Sequence, residues 1–300
     1  MESTDHARAS PESDAQPDHR KAVGNGLRLP YQGRIRLKKE AQRRKRRKEK
    51  ETRRDIVIGT LNVGTMTGRG REVVDVMERK KIDILCVQET RWKGSKAREL
   101  GEGYKLYYVG ECGRRNGVGI VLSPEMKAGT LQVSRESDRV IWMKLVVEGI
   151  VVNVISAYAP QVGCHDQEKD DFWEKMESIM ATITETEGVW IGADLNGHVG
   201  EGNNGIEEVM GKYGVGVRNE EGERIVNFAI ANQLAVVNTC FKKRMTELKT
   251  YSSGTVHSQV DYILCRRKER QRVKDCKVLP MEAVAKQHKL VTKQKQGQNQ

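Results

Sequence analysis

The sequence predicts an α/β domain that begins at residue 55 and consists of short buried strands separated by turns and a few helices. The first observation is the succession of strand, helix and strand in DIVIGTLN (55–62), GREVVDVMERKK (70–81) and IDILCVQET (82–90), where only the middle segment has apolar residues at helical spacing. This order is typical of parallel strands joined by a crossover helix. The other observations are a strand-rich middle region and a set of polar residues at strand ends.

The middle region, from residue 104 to residue 160, favours antiparallel strands because Gly, Asn and Ser separate successive apolar runs. The runs are YKLYYVG (104–110), GVGIVLS (117–123), RVIWMKLVVEG (139–149) and IVVNVISAYAP (150–160). A second helix is expected from Asp166 to Glu187, since its apolar residues fall on one face.

The remaining predicted elements are a strand in VWIGADLN (189–196), a helix in ERIVNFAIANQL (223–234), and strands in AVVNT (235–239) and QVDYILC (259–265). The first of these strands ends unusually, because Asp194 and Asn196 follow its buried residues at every second position. A hairpin explains this pattern as well, since Asn196-Gly197 is a strong turn dipeptide that an aspartate can brace. Other residues are needed to choose between a turn and a functional site.

Further polar side chains lie at or near the ends of apolar strands. Together they are Asn62, Glu89, Tyr158, Asp194 with Asn196, and Asp261. Ligands bind at the carboxyl ends of strands in open α/β sheets, so we expect these residues to converge on one cleft. Carboxylates this close repel each other unless a cation neutralises them, and oxygen ligands suit Mg²⁺ or Mn²⁺. A phosphodiester hydrolase requires a divalent ion, an Asp that can deprotonate water, an amide and a Tyr hydroxyl that hold phosphate oxygens, and a His. Singly, Glu89 can cap a loop, Tyr158 can be a strand-end aromatic, and Asp261 can pair with an arginine.

The order of these motifs resembles that of the endonuclease/exonuclease/phosphatase superfamily, which includes apurinic endonucleases, DNase I and the nuclease modules of non-LTR retrotransposons. The motifs are LNVGTM (61–66), CVQET (86–90), SAYAP (156–160), GADLNGHVG (192–200), QVDYIL (259–264) and KQHKLV (286–291). The resemblance covers residues 55 to about 290. It implies a four-layer α/β sandwich, in which two mixed β-sheets pack face to face between helices.

The resemblance also implies a role for each polar residue. Glu89 would hold Mg²⁺, or alternatively Mn²⁺, and Asn62 would lie beside the ion.

On the reaction side, Asp194 would activate or orient the attacking water, while Asn196 and Tyr158 would position phosphate oxygens. Asp261 would orient His288, whose other ring nitrogen would stabilise the charge that develops on the phosphate.

The sequence departs from the superfamily pattern at two places near the expected metal. Members often have Ser-Asp-His where this chain has Lys286-Gln287-His288, and Gly64 stands where others have an acid or an amide. Fewer anionic ligands predict weaker metal binding. The chain also ends soon after His288, so we expect the closing strand of the fold to be short or missing.

The positive charge is concentrated in the N-terminal part of the chain. Residues 31–54 hold 13 Lys or Arg against 3 Glu, a net charge of +10, and residues 1–30 contribute −1, so only +3 of the total +12 belongs to residues 55–300. We therefore predict a disordered basic arm over residues 1–54, a folded domain over residues 55–290 and a polar tail over residues 291–300. The basic block at residues 34–54 predicts nuclear localisation or contact with nucleic acid, with a merely solvated tail as the alternative.

No apolar run is long enough to cross a bilayer, and the N-terminus lacks the layout of a signal peptide. We therefore expect a soluble intracellular protein, nuclear or otherwise cytoplasmic, that has no membrane partner. The six cysteines contain no CxxC pair, which favours reduced thiols.

The favoured function is a Mg²⁺-dependent DNA endonuclease that uses activated water to attack phosphate. One alternative is a catalytically weakened, retrotransposon-derived protein that binds nucleic acid or chromatin. Another is a phosphoesterase acting on lipid or inositol head groups, which the basic arm disfavours. The segment Arg91-Trp92-Lys93 is expected to be a solvated loop, with contact to DNA as the alternative.

Overall fold

The computed structural model describes Glu40, residues 56–279, Ala285 and residues 287–294. The predictions for the basic arm and for residues 295–300 lie outside the described residues, apart from Glu40. No helix in the part of the chain that the structure describes is long and apolar enough to cross a membrane.

The chain alternates strands with a few helices. The strands are β1 (Ile58–Asn62), β2 (Ile84–Gln88), β3 (Gly94–Gly101), β4 (Tyr104–Gly110), β5 (Val118–Leu122), β6 (Thr130–Ser137), β7 (Val140–Val147), β8 (Ile150–Tyr158), β9 (Gly188–Asp194), β10 (Leu234–Val236), β11 (Tyr251–Ser253), β12 (Val256–Ser258), β13 (Asp261–Arg266), β14 (Asp275–Leu279) and β15 (Leu290–Gln294). The helices are α1 (Gly70–Lys80), α2 (Pro124–Lys127), α3 (Asp166–Thr182), α4 (Glu220–Ala231) and α5 (Arg267–Arg270), with 3₁₀ turns at Val237–Cys240 and Met245–Glu247.

The strands form two large mixed sheets and a small hairpin. The first sheet has the order β14-β15-β1-β2-β5-β4-β3, the second has the order β10-β13-β9-β8-β7-β6, and β11 pairs with β12. Each large sheet contains a parallel pair, β1 with β2 and β8 with β9, which α1 and α3 connect. The prediction of a crossover between 55–62 and 82–90 is therefore confirmed.

Three layers of apolar side chains separate four layers of secondary structure. Ile58 and Ile84 of the first sheet face Val154 and Ile263 of the second sheet. The outer face of the first sheet packs on α1, and the outer face of the second sheet packs on α3 and α4. Strands alternate inward and outward residues, so each sheet can bury both faces. This arrangement confirms the four-layer α/β sandwich with two mixed sheets packed face to face.

The two sheets approach each other closely just before Asp194. A Cβ atom placed on Gly192 would lie 2.8 Å from the Cβ of Cys86, so this position has no room for a side chain. Beside it, Gln88 donates to Thr60, to Ser156 and to the Gly192 carbonyl, which satisfies polar groups in the interior. The close approach brings the ends of β1, β2 and β9 together.

The C-terminal strand corrects two predictions. β15 lies between β1 and β14 and pairs with both, so the closing strand is present and residues 291–294 belong to the fold rather than to a polar tail. The polar residues of β15 do not predict that the strand is buried. Lys293 is buried because its ammonium lies 4.1 Å from the centre of the Trp190 ring and covers that apolar surface.

Helix α3 also ends at Thr182 rather than at Glu187. The β-branched run Thr182-Ile183-Thr184 accounts for the earlier end, because such residues lower helix propensity.

Candidate active site

Asn62 connects the ends of the two sheets. It is the last residue of β1, and its buried Nδ2 donates to Glu89 Oε1 and to Asp194 Oδ2, each at 2.9 Å. Its Oδ1 accepts the backbone N–H of Gly64 at 3.0 Å, which fixes the orientation of the amide. The structure thus places the two predicted residues Asn62 and Glu89 side by side, with Asp194 next to them.

Glu89 follows β2 directly and has a positive φ of 53°, a conformation that non-glycine residues rarely adopt. Tyr158 donates its hydroxyl to Glu89 Oε1 at 3.0 Å, and an Arg91 guanidinium nitrogen lies 2.6 Å from Oε2. Burial raises the pKa of Glu89, but the hydrogen bonds from Asn62, Arg91 and Tyr158 together outweigh burial and lower this pKa below its ordinary value. Glu89 is therefore an ionised carboxylate at neutral pH.

Asp194 ends β9 and lies opposite Tyr158 of β8 and Asp261 of β13 in the sheet register. Its side chain is almost completely buried. Burial, followed by the charge of Asp261, raises the pKa of Asp194 to about 7. The next turn is fixed by Asn196, whose backbone N–H donates to Asp194 Oδ1 at 3.2 Å and whose Nδ2 donates to the Ala159 carbonyl at 2.8 Å.

His288 completes the group. Its Nδ1 lies 3.0 and 3.2 Å from the two carboxylate oxygens of Asp261, and its Nε2 lies 3.8 Å from Asp194 Oδ2. Burial lowers the pKa of His288, but the charge and hydrogen bond of Asp261 outweigh burial and raise it to about 9. The imidazole is therefore protonated at neutral pH and partly neutralises the two aspartates.

Four of these residues border one cleft of about 740 Å³, and Asn196 is not among the residues that line it. Asn62, Glu89, Tyr158 and His288 line the cleft, and the buried Asp194 and Asp261 are bonded directly behind them. Four arginines also line it, namely Arg69, Arg91, Arg115 and Arg139. Sequence reasoning did not find this basic lining. Arg91 lies in an exposed loop, as predicted, and its guanidinium also pairs with Glu89.

The sequence profile of the Endonuclease/Exonuclease/phosphatase family matches residues 59–281. The chain belongs to this family. The basic leader and the stretch QETRWKGSKARELGEGYKLYYVG (88–110) suggest a likeness to craniofacial development protein 2, and the comparison confirms that the chain is similar to that protein. The chain is 31% identical to the Bos taurus protein over 241 residues, which cover 79% of this chain and 40% of that protein. The chain thus spans less than half the length of this relative.

Solved structures of other proteins share the fold. An AP endonuclease from Archaeoglobus fulgidus superposes with a TM-score of 0.61 at 20% identity and covers 81% of this chain and 100% of that one. The endonuclease domain of TRAS1, a telomere-specific non-LTR retrotransposon, superposes with a TM-score of 0.56 at 10% identity and covers 82% and 100%. The predicted likeness to retrotransposon endonucleases is therefore confirmed at the level of the fold.

The donor set suits the divalent metal on which members of the family commonly depend. Mg²⁺ is usually held by one or two carboxylates, several waters and substrate phosphates, and Glu89 supplies an ionised carboxylate at the cleft. Asp194, Asp261 and His288 also place ligand atoms within 4.8 Å of one another. A protonated imidazole repels a cation, however, so Glu89 with Asn62 fits a metal better than this second group does.

The two positions at which the chain departs from the superfamily pattern, Gln287 and Gly64, have different surroundings. Gln287 is exposed at the cleft, where its Nε2 lies 3.5 Å from Ser253 Oγ. Gly64 has a φ of +65°, and a Cβ atom there would meet nothing within 4 Å, so space alone does not exclude a side chain. Neither position supplies a carboxylate to the cleft.

Proposed function

We propose that the protein is a divalent-metal-dependent phosphodiester hydrolase that acts as a DNA endonuclease. The observation that carries the proposal is the Asn62 amide, which bonds to Glu89 and to Asp194 at once and so joins a cation-binding side of the cleft to a proton-handling side. Hydrolysis of a phosphodiester needs both functions within the reach of one phosphate.

Glu89, with Asn62 beside it, would hold Mg²⁺, or Mn²⁺ in its place. The bound ion would neutralise charge on the phosphate. Among the groups of the chain itself, Asp194 is suited to take a proton from the attacking water, because a base is most effective when its pKa lies near the working pH. The protonated Nε2 of His288 would donate to a phosphate oxygen, with Asp261 fixing the ring.

Tyr158 and Asn196 would position phosphate oxygens. Burial and the charge of Glu89 raise the pKa of Tyr158, so its hydroxyl keeps its proton. That one hydrogen is donated to Glu89 here and would turn to the phosphate when substrate binds. The Asn196 side chain already donates one hydrogen bond to the Ala159 carbonyl, which leaves its second amide hydrogen for the substrate.

Three features support DNA as the substrate. Four arginines line the cleft, and arginine forks bind phosphate oxygens well. Two solved structures of the same fold are an AP endonuclease and a retrotransposon endonuclease domain. The basic block at residues 34–54 would add contacts with the DNA backbone and direct the protein to the nucleus.

A second candidate is a weakened, retrotransposon-derived protein that binds nucleic acid or chromatin without efficient cleavage. The ion pair between Arg91 and Glu89 favours it, because the guanidinium competes with a cation for the carboxylate. Gln287 and Gly64 favour it as well, since neither adds negative charge.

Incubation of the full chain with supercoiled plasmid tests the proposal. We expect nicking with Mg²⁺ or Mn²⁺ and none with excess chelator. If the plasmid stays intact with either metal although fluorescence anisotropy shows binding, the second candidate is correct.

Deletion of residues 1–54 tests the role of the arm. The arm carries a net +9 of the total +12, so the slope of log affinity against log salt should become much shallower in its absence. An unchanged slope would show that the arm makes no contact with DNA.

A further inference from the structure

The segment that carries His288 is held by the strand β11. Tyr251 and His288 form an isolated antiparallel bridge. The Ser252 N–H donates to the Gln287 carbonyl at 2.8 Å, and the Lys289 N–H donates to the Thr250 carbonyl at 2.8 Å. The backbone on both sides of His288 is therefore fixed to residues 250–252.

The same residues fix the partner of His288. Thr250 is fully buried, and its Oγ1 accepts the backbone N–H groups of Val260 and Asp261 at 3.0 and 3.1 Å. Thr250 and Tyr251 thus touch the backbone of Asp261 on one side and that of His288 on the other. The distance between the aspartate and the histidine depends on this connection.

The Tyr251 ring supplies a contact that the backbone cannot. Its centroid lies 4.9 Å from the centroid of the His288 ring, with 57° between the planes. The hydrogen bond from Nδ1 to Asp261 does not by itself fix the plane of the imidazole, which can still rotate about that bond. An aromatic ring against its side restricts that tilt and also favours a cationic imidazole electrostatically.

We propose that Tyr251 is a positioning residue, which packs on the His288 imidazole and keeps Nδ1 on Asp261 while Nε2 faces Asp194 and the cleft. The contribution to turnover rests on the proposed function, whereas the contribution to ring geometry does not. Small displacements of a reacting group reduce rates strongly, so the packing contact has a measurable consequence.

The kinetic test compares Tyr251→Phe, Tyr251→Leu and Tyr251→Ala. Phe keeps the ring and should retain kcat within about twofold, whereas Leu and Ala should lower kcat by about tenfold or more with KM little changed. Tyr107→Ala is the matched control, since Tyr107 is a partly buried tyrosine on β4 that does not line the cleft. Circular dichroism verifies folding, and Tyr251→Leu replaces the alanine variant if the latter does not fold.

The structural test does not require activity. In protein labelled with ¹⁵N-histidine, the His288 Nδ1–H resonance is identified by its loss in His288→Gln. The Nδ1–H resonance of His288 should be narrow in wild type and Tyr251→Phe, and broadened or absent in Tyr251→Leu and Tyr251→Ala. The proposal is overturned if Tyr251→Leu and Tyr251→Ala keep both the resonance and kcat, or if Tyr251→Phe loses them to the same extent. Absence of cleavage by wild type would refute the proposed function alone, and the resonance would still decide the role of Tyr251.

Discussion

Glu89 lines the cleft and Asp194 is buried beside it, and the fold shifts the pKa values of these two carboxylates in opposite directions. Glu89 is partly exposed and accepts hydrogen bonds from Asn62, Tyr158 and Arg91, so its pKa is lowered. Asp194 is buried beside Asp261, so its pKa is raised to about 7. Asn62 donates to both carboxylates and therefore does not create the difference. The comparison teaches that burial and neighbouring charge set the pKa values of two adjacent carboxylates apart, which suits the proposed roles of Glu89 as cation ligand and of Asp194 as proton acceptor.

The largest expected effect is the loss of either carboxylate. Asp194→Ala should reduce nicking by at least about two orders of magnitude, the usual cost of removing a positioned base. Glu89→Ala should reduce nicking by a similar factor of about two orders of magnitude, because the variant loses the metal that neutralises phosphate charge. Only Glu89→Ala should recover part of its rate at raised Mn²⁺, since only that variant weakens metal binding.

Plasmid nicking over a Mn²⁺ titration measures this difference, with Asp171→Asn on the exposed face of α3 as the control. Nicking by Asp194→Ala at the wild-type rate would refute the assignment of Asp194. Equal rescue of both variants by Mn²⁺ would remove the distinction between the two carboxylates.

The pH profile of kcat should show two limbs. Activity should rise as Asp194 loses its proton near pH 7 and fall as His288 loses its proton near pH 9, by about tenfold per pH unit outside these limits. Single-turnover rates from pH 5 to 10 measure the profile. In His288→Gln the alkaline limb should vanish from the residual activity, and its persistence would mean that another group titrates there.

A smaller effect is expected at Arg91, which shares Glu89 with the metal. Arg91→Gln should tighten Mn²⁺ binding by about threefold to tenfold, because a competing charge leaves the carboxylate. Mn²⁺ titration followed by electron paramagnetic resonance measures affinity without reference to activity. Arg71→Gln, an exposed arginine paired with Asp75, is the matched control. Unchanged or weaker binding by Arg91→Gln would show that the guanidinium does not compete.

The smallest effect is expected at Gln287. Gln287→Asp should lower the metal concentration for half-maximal nicking by about twofold, since an exposed carboxylate is well screened by solvent. His288→Ala should abolish nicking with little change in Mn²⁺ affinity. Gln287→Asn keeps an amide and serves as the control. A midpoint that Gln287→Asp leaves unchanged would place the metal away from this loop.

Most strands with buried apolar runs were readable from the sequence, and the exposed edge strand β3 was not. β1, β2, β8 and β9 were predicted because their apolar runs are buried. β3 was missed, because it is a sheet edge whose side chains are largely exposed and show no apolar alternation. β15 was underestimated for a related reason, since Lys293 is polar in sequence yet packs on Trp190.

The strand patterns of the sequence determined an α/β fold and the strand-end candidates Asn62, Glu89, Tyr158, Asp194, Asn196 and Asp261. The resemblance of its motifs to the superfamily added the four-layer sandwich and His288. The tertiary structure decided that four arginines from separate segments line the same cleft and that Tyr251 packs on His288. It also decided that the pKa of Glu89 is lowered and that the pKa of Asp194 is raised. Such properties depend on distances between residues far apart in the chain and on burial, which sequence spacing does not specify.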